Sequence, residues 1–405
     1  MKKAVVLVID GLSASALGPY GNTTFLTPGF NQLASRSFLA EHVLIDSPSI
    51  NASYNAMLSG GHGLYSSEFF SQRSSLPGLL RQSSKESVFV SDDIQSIELA
   101  DDFDRQIVLD CPAPTKLAET PESSWAANFF TEALAAFEEH SDASLFWLHC
   151  SGLSTAWDAP YEFREQFVDE DDPDPPRDFL PPAFWAVEPI DLDLKLGYSF
   201  AYGGQVMLLD MMVEAFVAAV ESHNDAPLFV ITSSRGYPLG EHGVFGFEDA
   251  PLESELTQVP LLFLDPSNEL RGVRSQAILQ FGDIFHLLTR WFECGEHASD
   301  ATMLELADSM DEVFRTHAFC ANSSEAVLRT PFWYVKQSLS DDDPAEVKNR
   351  IYLRPDDKWN LHDVSELCSD IVGELTEYMP RARSAIKKSD LKSAIPPPSL
   401  LTPRD

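Results

Sequence analysis

The sequence predicts an α/β fold with a central, mostly parallel sheet covered by helices on both faces. Three observations predict it. Short, continuous apolar runs recur at Ala4–Ile9, Val88–Val90, Leu145–Leu148, Leu228–Thr232 and Pro260–Leu264, and such runs mark strands buried on both faces. Segments of helical periodicity alternate with them, the pattern of a sheet covered by helices. Polar residues follow the runs: Asp10, His149 and the segment from Ser233. In such sheets chemistry sits beyond the carboxyl ends of the strands, so these distant points can converge on one site.

The elements follow in order. After the first strand, Thr27-Pro28 opens a helix, with Thr27 as N-cap and Pro28 in the first turn, running through Phe30, Leu33 and Ala34. Ser124–Glu138 is an amphipathic helix with Trp125, Phe129, Phe130, Leu134 and Phe137 at helical spacing. Residues 169–182, DEDDPDPPRDFLPP, read as a surface loop because proline and charge forbid regular structure. Its DEDD run either binds cations or is simply solvated, and the solvated reading is preferred. Tyr202–Glu221 is a long helix, and Ile278–Phe292 is a helix after the last strand. The expected organisation is an α/β domain over residues 1–292, a small C-terminal subdomain over 293–385 packed on it, and a disordered tail over 386–405 that holds a Pro-Pro-Pro run.

Composition narrows the function classes. The chain has 405 residues, 44% of them hydrophobic, enough for a sizeable core. Lys+Arg total 28 against 63 Asp+Glu, a net charge of −35. Such a surface repels nucleic acid and anionic membranes, so neither is an expected partner. It also opposes anionic substrates unless local cations or a metal compensate. The five cysteines, Cys111, Cys150, Cys294, Cys320 and Cys368, are scattered and read as reduced thiols of a cytoplasmic protein. Lys2 and Lys3 before AVVLVI imitate a short signal peptide, but the apolar run ends after six residues at Asp10, which favours a strand. No apolar stretch is expected to span a membrane.

VLVIDGLSASALGPYGNTTFLTPGFNQLA, with Gly18, Tyr20, Gly21, Thr27, Pro28, Leu33 and Ala34 in its turn and helix, resembles the opening of the sulfatase family of the alkaline phosphatase superfamily. ITSSRGYPLGEHGVFG resembles the stretch T-S-D-H-G-x-x-L-G-E-H-G, and QVPLLFLDP the strand after it. YGGQVMLLDMMVEAF resembles the helix carrying V-x-x-L-D, and TPFWYV with YLRPDDKWNLHDV looks like the C-terminal segment of bacterial sulfatases. The likeness runs from residue 4 to about residue 370.

The resemblance implies a catalytic centre, and this chain departs from it. Active relatives convert the first residue of C/S-x-P-S-R to a formylglycine nucleophile. Counted back from Met57-Leu58-Ser59-Gly60, that position falls on Ile50, the proline on Ala52 and the arginine on Tyr54. Ile50 has no nucleophilic atom, and Tyr54 lacks the guanidinium fork that binds an oxyanion. The family's calcium-like cation wants several oxygen ligands. Asp10 matches the first, but Gly11 stands at a frequent second aspartate, and the later Asp-His or Asp-Asn pair falls on Ser234 and Arg235. The catalytic lysine falls near Phe247, and His149 matches a histidine that helps bind the sulfate or leaving group.

Each candidate keeps a plainer alternative. Asp10 is a surviving metal ligand or a polar strand end. His149 is a base or a satisfied histidine. Glu241 and His242 are catalytic or stabilise their loop, and His62 is structural. Arg235, Ser234 and Tyr54 are the candidate ligand-binding residues, although a salt bridge from Arg235 to Asp10 is preferred over direct anion binding. Ser47, Ser49 and Ser53 surround the lost nucleophile and act only if a base is near. The expectation is a sulfatase-like pseudoenzyme, or a strongly impaired sulfuric ester hydrolase, that still binds an anionic small molecule or sulfated sugar. No cofactor is expected, with calcium or magnesium only if the metal site works. The alternatives are an active sulfate- or phosphate-ester hydrolase with a rearranged site, and a non-catalytic protein-interaction role.

Overall fold

The computed structural model describes residues 2–186, 190–223, 226–295, 316–339, 347–390 and 394–402. Its first eleven strands are β1 (Ala4–Ile9), β2 (Phe38–Leu44), β3 (Ser87–Ser91), β4 (Arg105–Val108), β5 (Leu145–Cys150), β6 (Phe184–Trp185), β7 (Leu228–Thr232), β8 (Val244–Phe245), β9 (Gln258–Val259), β10 (Leu261–Leu264) and β11 (Arg274–Leu279). The main sheet runs β11-β2-β10-β7-β1-β5-β3-β4, with β9 paired to β2. Its centre is parallel: β1 pairs with β5 and β7, and β3 with β5 and β4. Only β10, against β7 and β2, and the short β9 run antiparallel among its described strands. The predicted mostly parallel sheet is therefore the observed one.

The continuous apolar runs are explained by burial on two faces. Ala4, Val6 and Val8 of β1 point into one core, and Val5, Leu7 and Ile9 into the other. The helix Trp125–Glu139 and the helix Pro28–Ser35 supply the second core, while the helices Ile50–Ser59 and Gly282–Trp291 supply the first. Ser124 caps its helix by accepting from Ala127 N–H at 3.1 Å. Thr27 does not cap with its side chain: its Oγ1 accepts from Gly18 N–H at 2.9 Å instead. Asp210 takes over that helix end, accepting from Gly29 and Phe30 N–H at 2.8 and 2.6 Å. The aspartate of the V-x-x-L-D likeness is thus a capping residue.

Four antiparallel strands, β12 (Ala318–Ala321), β13 (Glu325–Arg329), β14 (Trp333–Ser338) and β15 (Asn349–Leu353), form the small C-terminal sheet. The helix Ser369–Lys387 packs Leu375, Tyr378 and Met379 onto it. His62 fastens this sheet to the main domain, its Nε2 donating to Phe319 O at 2.8 Å while Nδ1 accepts from Leu64 N–H at 3.2 Å. The expected boundary at 293 falls just before residues 296–315, which lie outside the described residues.

Three further expectations need correction. Ile278 and Leu279 belong to β11, and the helix starts at Gly282, because 274–279 adds a strand beside β2. The long helix is Leu192–Glu221, ten residues longer than expected, because Asp191 caps it by accepting from Asp193 N–H. That helix is long and apolar enough to span a membrane, against expectation, yet 67% of its most apolar window is buried in the protein. Within the described part of residues 386–405, Ala394 and Leu400 are buried, and Ala394 O accepts from the Tyr378 hydroxyl at 2.5 Å.

Candidate functional site

Strand register brings the site together. Val8 of β1 lies beside His149 of β5 and Thr232 of β7, and Ser91 of β3 lies on the other side of His149. Asp10, Asp92 and the segment Ser233–Arg235 therefore leave the sheet at one edge. His149 is the penultimate residue of β5, not a residue beyond it.

The centre is an ion pair. The Arg235 guanidinium donates from Nε to Asp10 Oδ1 at 3.0 Å and from Nη2 to Asp10 Oδ2 at 2.9 Å. The Ser234 hydroxyl donates to the same Oδ1. Arg235 Nη1 reaches Pro48 O at 3.3 Å, so the pair also holds the segment leading to Ile50. Phe247 lies against the far side of the guanidinium, 3.4 Å from Cζ to the ring centroid. Burial alone pushes the Asp10 carboxyl up, but Arg235 and the Ser234 hydroxyl outweigh it and hold it below the usual 3.8.

A second chain of contacts runs through Tyr54. Trp147 Nε1 is a donor only and lies 3.3 Å from the Tyr54 oxygen. Burial holds the Tyr54 phenol protonated, well above its usual range. Its proton therefore goes to His149 Nδ1, 2.8 Å away. Burial also keeps the His149 imidazole below its usual 6.5, against the pull of Asp10 and Asp92. His149 is thus neutral with its proton on Nε2, an acceptor towards Tyr54.

Asp92 was not anticipated. Its carboxylate accepts from Ser151 N–H at 2.9 Å and from the Ser151 hydroxyl, which also lies 2.8 Å from Thr155 Oγ1. Burial raises its carboxyl above the usual 3.8. The signal was available: Asp92 follows β3 as Asp10 follows β1.

The other candidates make no described hydrogen bond with the Asp10 carboxylate or the His149 imidazole. Glu241 accepts from Leu239 N–H at 2.7 Å, holding its own loop. His242 Nε2 faces Glu255 Oε1 at 3.6 Å and makes no described contact with Asp10, His149 or Arg235. The Ser53 hydroxyl points to Ser49 O and Ser234 O, and Ser47 Oγ accepts from Ser49 N–H, so neither is described beside a base. Ile50 starts the helix that carries Tyr54 and packs against the core.

The residues present do not fit a divalent cation. A hard cation needs a shell of oxygens, and here both Asp10 oxygens are engaged by a fixed positive charge. Gly11, at the second ligand position, has φ +83°, and a Cβ there would meet Leu153 at 3.1 Å. Among the described residues no group of three or more His, Cys, Asp or Glu is placed to hold a metal ion.

The central parallel sheet with a small antiparallel C-terminal sheet is the fold of solved sulfatases and phosphonate monoester hydrolases. The phosphonate monoester hydrolase of Agrobacterium radiobacter superposes with a TM-score of 0.73 at 13% identity, covering 95% of this chain and 96% of that one. A protein solved with its substrate D-glucosamine-2-N,6-O-disulfate gives 0.71 at 13% identity over 95% and 98%. A 2-O glycosaminoglycan sulfatase gives 0.69 at 14% identity over 99% and 96%. No family model matches the sequence, and no curated protein matches it either.

Proposed function

We propose that this chain is a sulfatase-fold pseudoenzyme, in which a tethered arginine stands where the family resemblance implies a metal. One observation carries the reading: the two-pronged Asp10–Arg235 pair with Phe247 against it. The guanidinium charge cannot leave, cannot polarise a bound water into a nucleophile, and engages both oxygens of the carboxylate. Ile50 offers no attacking atom, and the Tyr54 hydroxyl is committed to Trp147 and His149.

The centre retains a preference for anions. Arg235 has five N–H groups, and its described bonds to Asp10 and Pro48 use three of them. Two remain, on a side chain 12% exposed, which favours an anionic small molecule over a cation. Related folds have been solved with D-glucosamine-2-N,6-O-disulfate and with neocarrahexaose, which makes a sulfated sugar the class to try first.

Metal analysis of the purified protein, with assays on aryl sulfate and aryl phosphate, tests the proposal. Substoichiometric metal and no turnover above the uncatalysed rate are expected. Stoichiometric calcium or magnesium, with turnover that disappears in Asp10→Asn, overturns it.

A further inference from the structure

Two guanidiniums are buried at the seam between the C-terminal sheet and the main domain. Along β13 and β14, Leu328 and Trp333 join the core under the helix Ser369–Lys387, while Val327 and Tyr334 join the main core. Arg329 follows Val327 by two residues and pairs directly with Tyr334, so it stands on the face turned to the main domain. Arg354, just past β15, places its guanidinium carbon 4.7 Å from the centroid of the Tyr334 ring. Arg329 is 7% exposed and Arg354 8%.

Buried charges are ordinarily paired. Lys336, on the same face, obeys that rule: its Nζ lies 2.7 Å from Glu253 Oε1 and 3.1 Å from Glu325 Oε1. The arginines do not. Arg354 donates to Asp357 O, Ser254 Oγ and Asn360 Oδ1, all neutral oxygens. Asn360 in turn donates to Glu253 Oε2 at 2.7 Å, so that carboxylate is already divided between Asn360 and Lys336. Arg329 donates only to the carbonyl of its neighbour Thr330 among the described residues. Its Nε and Nη2 have no described hydrogen bond, and neither is among the unpartnered atoms sealed from solvent. They are donors left at an opening.

The field at this opening is positive. Burial and the Arg354 charge push the Arg329 guanidinium down to about 9, which leaves it charged at neutral pH. Burial, then Arg329, push His42 of β2 down to about 4, with Arg354 adding to the effect and Glu41 opposing it. Glu41 itself is held by Arg274, 2.9 Å away. Water would satisfy the free N–H groups but not the charge. An oxyanion satisfies both, and the guanidinium fork matches the oxygens of phosphate and sulfate.

We propose that Arg329 and Arg354 form a binding site for a tetrahedral oxyanion, phosphate or sulfate, at the seam between the C-terminal sheet and the main domain. Neither arginine has a described contact with Asp10 or Arg235, so the site is separate from that pair.

The test is calorimetric titration of the full chain with inorganic phosphate, inorganic sulfate and glucose 6-phosphate, in chloride at fixed ionic strength. At least one should bind saturably. Arg329→Met should weaken that binding roughly tenfold or more, the loss of one charge-assisted pair. Tighter binding of glucose 6-phosphate than of free phosphate, lost in Arg329→Met, supports the site as one for an ester; the reverse order supports it as one for the free ion. Circular dichroism checks the fold of the variant, and Arg354→Gln is a second variant read in the same way. A further readout needs no variant: the saturating anion offsets the two guanidiniums and should raise the titration midpoint of His42 in proton NMR. Absence of saturable binding overturns the proposal. Unchanged affinity in the folded variants places the anion elsewhere and overturns it too, as does a His42 midpoint that stays fixed at saturation.

Discussion

The Phe247 ring sits 3.4 Å from the Arg235 guanidinium carbon, on the cation that holds both oxygens of Asp10. The positions where the sulfatase resemblance implies a metal ligand and a lysine are therefore physically coupled in this chain. A lysine at 247 would put a second cation against Arg235, whereas an aromatic face attracts the one already there.

Phe247→Ala should lower stability by about 1–2 kcal/mol, the sum of a partly buried cation–π contact and lost apolar cover. Phe247→Lys should be worse than Phe247→Ala, since it adds like-charge repulsion. Urea unfolding at neutral pH ranks the two variants.

Arg235→Met should cost about 3–5 kcal/mol at pH 7, because it leaves the buried Asp10 carboxylate unpaired. The pH dependence has a definite sign. In the parent protein the Asp10 carboxyl is held below 3.8, so its contribution is present above that value and is lost as pH falls through the folded value. In Arg235→Met burial loses its main opponent and only the Ser234 hydroxyl and His149 still counter it, so the carboxyl moves up and the deficit should shrink as the pH drops. The double variant Asp10→Asn with Arg235→Met should recover part of the loss at pH 7. Denaturation curves at several pH values read both effects.

Tyr54→Phe should destabilise by about 1–3 kcal/mol, since it strands the Trp147 N–H and His149 Nδ1 in the interior. Nitrogen NMR of the parent should show His149 neutral, with the proton on Nε2. Because its folded pKa lies below 6.5, the neutral imidazole contributes stability that is present above 6.5 and lost as pH falls through the folded value. A charged His149 at pH 7 contradicts this assignment.

Leu400→Ala should cost about 2–5 kcal/mol if the tail seals the C-terminal core, because Leu400 is fully buried there. Thermal unfolding measures it, and an unchanged midpoint contradicts the packing of the tail.

Much of the fold was legible because central parallel strands are buried on both sides. That requirement leaves unbroken apolar runs such as Ala4–Ile9 and Leu228–Thr232. β11 was not legible, since its exposed Arg274 and Gln276 interrupt the run and its pairing with β2 is non-local. The packing of Leu400 was hidden by its proline-rich surroundings, which describe local stiffness and not what lies opposite.

The candidate site divides the same way. The sequence by itself determined that Asp10 and Arg235 follow strands, that Ile50 has no reactive atom and that opposite charges stand where the family resemblance implies a metal. Only the tertiary structure decided that Arg235 grips Asp10 with two bonds, that Phe247 backs it, that the Tyr54 hydroxyl donates a hydrogen bond to His149 and that Asp92 engages Ser151. These contacts join residues up to 225 positions apart. Their partners are chosen by strand order and register, which local sequence pattern does not encode.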